Sequence, residues 1–304
     1  MEGLLANKVY VGPLMVTVSY FWLTCMNIAF KFSWINGSTV MLTLVARNVG
    51  HFLVNYSVMQ TQNPKPDFSS LRWTGFDLCL LRAILSTFTS LFSVLGVFYL
   101  DITESIILSL TKPFLNFILN RLFFKDPIEQ NQLISGLLCF VGLLFVVKPP
   151  WLINSGSYML TSDKILGFIF REVSVVWNSL GDLSLKKIGA KANPNFVIHF
   201  VGLVNAAIFG MGYAVFDTPI IHTPLCYVSL FMVGLMSFFT HLYYSKAFQQ
   251  GSSMNVTTVF EFGGVIMSFL ADYFIFGKSY NIWCYVGVSI ILVSLYVCVM
   301  KPSR

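Results

Sequence analysis

Apolar residues in this chain come in blocks of roughly twenty, separated by short polar breaks. A helix needs about 20 apolar residues to cross roughly 30 Å of hydrocarbon. Ten blocks meet that length, and they predict membrane spans at 11–31, 38–60, 76–99, 102–124, 131–148, 165–187, 195–216, 226–248, 253–276 and 282–300. The longest breaks run from Thr61 to Trp73, with Asn63-Pro64-Lys65-Pro66-Asp67, and from Pro149 to Lys164, with Asn154-Ser155-Gly156-Ser157. Neither has apolar periodicity, and both read as loops.

Composition agrees with the pattern. Of the 304 residues, 56% are hydrophobic and 11% are charged, against about 25% charged in a soluble domain. One soluble core of this size cannot hide so much apolar surface, so the predicted class is an all-α integral membrane protein and its surrounding partner is the lipid bilayer. The first span is as long as a membrane crossing and reads as a retained insertion signal.

The net charge of +6 does not point to nucleic acid, because the basic residues sit mostly at the ends of apolar runs. Lys8, Lys65, Arg72, Arg121, Lys125, Lys186, Lys187, Lys191, Lys246, Lys301 and Arg304 fall on one side of a ten-span layout, and Lys31, Lys148, Lys164 and Lys278 on the other. The positive-inside rule then places both termini in the cytoplasm; the plasma membrane and the endomembranes are not distinguished. The six cysteines lie within apolar runs without metal-ligand spacing. Neither a metal nor a cofactor is expected.

The chain also resembles itself. Val11–Lys31 laid over Leu166–Lys186 matches Gly12 with Gly167, Ser19 with Ser174, Trp22 with Trp177 and Lys31 with Lys186. The fifth and tenth blocks match at Gly136 with Gly287 and at Lys148-Pro149 with Lys301-Pro302. This predicts two five-helix repeats, 1–150 and 151–304. Five is odd, so the second repeat enters the membrane from the opposite side, and inverted repeats are a common basis of alternating access.

Three segments carry a family resemblance. Asp101-Ile-Thr-Glu-Ser-Ile-Ile-Leu-Ser-Leu-Thr-Lys-Pro113-Phe resembles the fourth helix of the EamA-type drug/metabolite transporter superfamily. Gly136 through Lys148-Pro149-Pro150 is similar to its fifth helix, and the Lys-Pro-Pro ending resembles the eukaryotic, acyl-malonyl-condensing-enzyme-like branch. Tyr243-Tyr244-Ser245-Lys246-Ala247-Phe248 is similar to the end of its eighth helix. Two places depart from the pattern: Lys125-Asp126 stands where the family often has Glu, and Glu261-Phe-Gly263-Gly264 where it usually has Pro. The resemblance implies a central cavity lined by helices 1, 3, 4 and 6 with 8 and 9. It also implies export or exchange of small polar metabolites, with nucleotide sugars and phosphorylated sugars in related branches.

Charges at mid-bilayer cost about 2.5–3.5 kcal/mol each on the insertion scale, so those within spans should pair or face water. Arg47, Lys112 and Glu261 are such charges; Arg171 and Glu172 sit in the outer third of the sixth span, and Arg82 near an end where it can snorkel. Lys112 and Glu261 occupy repeat-related spans and are opposite in sign, which fits either a gating pair or a permanent packing pair. Arg47 and Lys112 favour an anionic or strongly polar small-molecule substrate, or else they neutralise Glu172 or Glu261. Glu172 and Glu261 are the coupling candidates, since intramembrane carboxyls mark proton relays. Trp22 and Trp177 read as cavity walls or as core filling. Asn27 and Asp182 share the repeat offset and join the substrate-binding candidates. Pro113 removes a helix hydrogen bond, and Gly263-Gly264 loosens the matching region. His51, His199 and His241 read as hydrogen-bonded packing residues.

The expected function is secondary transport of small polar or anionic metabolites. A nucleotide-sugar or sugar-phosphate antiporter of the endomembrane system is the alternative, and a non-transporting structural or regulatory membrane protein is the alternative of another class. Neither a nucleotide-binding loop nor a clustered catalytic set is found, so an enzyme is not expected. A homodimer is compatible with all of this.

Overall fold

The computed structural model describes residues 8–61, 73–99, 108–109, 111–125, 130–147, 162–189, 192–217, 223–249, 254–274 and 282–300. The loop predictions at 62–72 and 149–161, the 101–107 part of the fourth-span motif, and Lys65, Arg72, Lys148, Lys191, Lys278, Lys301 and Arg304 lie outside the described residues.

The described residues are almost entirely helical. In chain order the helices are α1 (Lys8–Ile35), α2 (Val40–Thr61), α3 (Trp73–Tyr99), α4 (Lys112–Phe124), α5 (Gln130–Val147), α6 (Ser162–Ile188), α7 (Pro194–Phe216), α8 (Pro224–Gln249), α9 (Met254–Val259), α10 (Gly263–Phe274) and α11 (Ile282–Met300). A 3₁₀ turn, Phe260–Phe262, joins α9 to α10. Four stretches among the described residues are long and apolar enough to cross a membrane: Val11–Ile35, Phe76–Gly96, Pro194–Phe216 and Pro224–Gln249. Tyr285–Val297 is a shorter apolar helix, and α2 carries Arg47, Asn48, His51 and Asn55 along its length. The structure supports an all-α membrane protein.

Local chemistry sets the helix ends. Gly37 takes a left-handed φ of 89° after α1. Its N–H bonds to Trp34 O at 3.0 Å, and that of Ser38 to Ser33 O at 3.0 Å, the paired bonds that close a helix C-terminus around a glycine. Asn193 caps α7, its side chain accepting from the Asn195 N–H at 3.0 Å, with Pro194 in the first turn; a proline there loses no hydrogen bond.

The fourth and ninth predicted spans are not continuous helices. α4 begins at Lys112, after a turn at Thr111, so Pro113 sits in a first turn and not in the middle of a helix. The ninth span narrows to the 3₁₀ turn just ahead of Gly263-Gly264. A mid-helix 3₁₀ stretch often marks a hinge.

Two compact units divide the chain, and each draws on both halves of the sequence. Unit 1 holds the described residues of Met1–Pro13, Phe88–Leu183 and Ser252–Arg304; unit 2 holds Leu14–Thr87 and Ser184–Gly251. In unit 1, Phe117, Cys139, Val259, Phe262, Ile291 and Leu295 form a core joining α4, α5, α9 and α11. α5 and α11 approach so closely that a Cβ on Gly142 would lie 2.7 Å from Gly287 O. In unit 2, α2 packs on α7 and α8. There a Cβ on Gly50 would lie 2.5 Å from Gly234 Cα, and one on Gly202 would lie 2.8 Å from His51 Nε2. Small residues that let backbones approach are the usual device of helix association in lipid.

Candidate functional site

Unit 1 buries a charged group at the point where its helices break. Lys112, in the first turn of α4, reaches Asp182 Oδ2 on α6 at 2.9 Å and Glu261 Oε2 in the 3₁₀ turn at 2.9 Å. Glu261 Oε1 also accepts from Lys112 Nζ, at 3.1 Å. All three are nearly sealed: Lys112 is 4% exposed, Asp182 0% and Glu261 2%. Asn116, one turn after Lys112 and so on the same face of α4, donates to Asp182 Oδ2 at 3.1 Å and approaches Thr258 Oγ1 at 3.4 Å. One ammonium therefore serves two carboxylates, and an amide steadies one of them.

A charge-assisted hydrogen bond is about twice as strong as a neutral one. Removing the ions from water still costs several kcal/mol apiece. A bundle that only had to hold its shape could fill this volume with apolar side chains at equal or better stability. Discontinuous helices meeting at buried charges are the usual setting of a transporter's binding site.

Farther along the same helices, Glu172 Oε2 accepts from Thr111 Oγ1 at 3.1 Å. Its neighbour Arg171 donates to Ser109 and Ser93. Lys112, Glu261 and Asp182 are thus brought together, with Pro113 directly after Lys112 and Gly263 two residues after Glu261, while Glu172 is bonded separately. Asn27 belongs to unit 2 and is exposed, so it does not share the surroundings of its repeat mate Asp182.

Arg47 also belongs to unit 2. Its Nη2 lies 3.1 Å from His241 Nε2 on α8; among the described residues it forms no ion pair with Glu172 or Glu261. Arg47, His51 and Asn55 are four residues apart and line one face of α2. His51 Nε2 donates to Ile198 O at 2.9 Å, and Asn55 Nδ2 donates to Asn195 O at 2.6 Å. Arg82 is 7% exposed and packed into the protein.

The two repeat-matched tryptophans occupy equivalent contacts in different units. Trp22 stacks on Phe239, with centroids 4.7 Å apart at 24°, and Trp177 stacks on Phe88, 4.9 Å apart at 23°. One turn earlier in each helix, Ser19 Oγ donates to Thr240 O at 2.9 Å and Ser174 Oγ to Thr89 O at 3.0 Å. α1 meets α8 as α6 meets α3. Both tryptophans are half-buried. Trp22→Leu and Trp177→Leu are each expected to lose about 1–3 kcal/mol of stacking and burial. Similar falls in thermal unfolding temperature would bear out the equivalence; a fall in only one variant would break it.

Sequence reading missed Asn116, Thr258 and the Arg47–His241 contact. Asn116 lies four residues after Lys112, a spacing that signals a shared helix face. The other two contacts join different helices and leave no local periodicity.

A solved protein shares this fold. One crystal structure superposes with a TM-score of 0.79 over 95% of this chain and 98% of the other, at 11% sequence identity. That identity speaks to the fold alone. No family profile matches the chain.

Two curated relatives come from Saccharomyces cerevisiae. A probable transport protein is 22% identical over 246 residues, covering 74% of this chain and 68% of the relative. An uncharacterized membrane protein is 20% identical over 231 residues, covering 69% of this chain and 54% of the relative, so the match spans about half of the latter's length. Together with the apolar helices, these similarities support a membrane protein and relationship to transport proteins.

Proposed function

We propose that this chain is a secondary transporter of small polar or anionic metabolites that works by alternating access. In this reading its ten spans form two inverted five-helix repeats of the EamA-like kind, with both termini cytoplasmic, and it carries out transport and not catalysis. The observation that carries the proposal is the sealed Lys112–Asp182–Glu261 group at the start of α4 and the 3₁₀ break between α9 and α10. Lys112 is the switch: an incoming substrate or proton competes for one carboxylate while the ammonium keeps the other. The similarity to a yeast protein named as a probable transport protein and the equivalent tryptophan contacts in the two units support the same reading.

Reconstituted protein in sealed vesicles is the test, with nucleotide sugars, sugar phosphates and amino acids supplied as labelled substrates. Saturable uptake without ATP, accelerated by unlabelled substrate on the far side, is expected for at least one class. Preference for nucleotide sugars or sugar phosphates would select the antiporter alternative. No uptake above protein-free vesicles in any class would overturn transport and favour a structural role.

A further inference from the structure

The second buried polar group, in unit 2, has a chemistry of its own. Arg47 is the eighth residue of α2, so it lies roughly 10 Å along the helix from its start and away from lipid headgroups at either end. A guanidinium offers five N–H donors and no acceptor. The contact found for it is one histidine nitrogen, His241 Nε2 at 3.1 Å. When Arg47 donates there, that nitrogen is unprotonated and the ring is neutral. The buried Nε of Arg47 has no hydrogen-bond partner among the described residues, and no carboxylate pairs with this guanidinium there.

The surroundings are set to accept negative charge. His51 and His241 have ring centroids 5.1 Å apart, and His51 Nε2 is committed to Ile198 O. Room for this arrangement comes from Gly202, where a side chain would strike the His51 ring. Positive charge inside a span requires a counter-charge or water, and here the protein supplies a neutral ring.

We infer that Arg47, with His241 beside it, is a binding site for the anionic group of a small molecule, a carboxylate or a phosphate, separate from the Lys112 group. Such a group takes the free Nε and a terminal nitrogen of Arg47 together, the planar two-point geometry in which arginine outperforms lysine. Entry of an anion to mid-span rests on the alternating-access reading, whereas the binding itself is measurable without transport.

The experiment titrates the full-length protein, purified in a neutral detergent and chloride-free buffer, with inorganic phosphate and with succinate. Saturable binding of at least one probe is expected, weakened about tenfold or more in Arg47→Gln, since a hydrogen bond to a charged group contributes about 1.5–3 kcal/mol. Arg121→Gln, which removes an exposed arginine, should bind as the unmodified protein does. Binding of neither probe overturns the site, and so does equal binding by Arg47→Gln. Should Arg47→Gln fail to fold, phenylglyoxal labelling of the unmodified protein reads the same position: phosphate is expected to protect Arg47, and unprotected or unreactive Arg47 overturns the inference. Vesicles that move nothing while phosphate still binds at Arg47 would instead sink the transport reading alone.

Discussion

Lys112→Met is expected to destabilise the protein by about 3–5 kcal/mol, the usual penalty for removing one partner of a buried ion pair. Asp182 and Glu261 would then face each other's charge in a site sealed from water. The informative comparison is the triple variant Lys112→Met/Asp182→Asn/Glu261→Gln. Neutralising all three removes the stranded charges, so its thermal unfolding midpoint in detergent should return close to that of the unmodified protein. If the group is a switch, uptake stays abolished in this stable variant. Uptake that recovers along with stability would reduce the group to a packing device.

Gly50→Val is the second large effect. A Cβ at this position already falls 2.5 Å from Gly234 Cα, a backbone atom that no rotamer change can move aside. The β-branch adds two further carbons at the crossing of α2 and α8. Overpacking of this kind typically costs about 1–3 kcal/mol and sometimes more; with backbone as the obstacle, the upper end or beyond is expected. Gly210→Val is the control, because the space around a Cβ at Gly210 is open. The checking measurement is the unfolding midpoint of the two purified variants. Equal midpoints would show that α2 and α8 are not held at this distance.

Much of the helical framework was legible from residue pattern. The predicted 195–216 and 282–300 agree closely with α7 and α11, because an apolar block bounded by Asn193-Pro194 or ended by Lys301-Pro302 leaves little choice. The breaks were less legible. Pro113 marks a discontinuity in the fourth span, yet a proline is compatible with both a kink and a first turn, and only the turn at Thr111 decides between them. Lys112 and Glu261 were readable as a pair from repeat position and sign. Asp182 was instead grouped with Asn27, because hydropathy and spacing describe one helix at a time. Which third helix contributes its carboxylate is a property of packing. The same limit hid His241 from Arg47: the two residues are 194 apart in sequence.

That interleaving has a consequence for synthesis. Arg47, His51 and Asn55 find their contacts on α7 and α8, with 194, 147 and 140 residues between partners. At about 5–20 residues per second, the ribosome needs roughly 7–40 s to deliver those partners after α2 has emerged. Throughout that interval three polar side chains on one helix face wait for their partners. Neither half of the chain can close a unit alone, so folding of this protein begins late, when the second half meets the first.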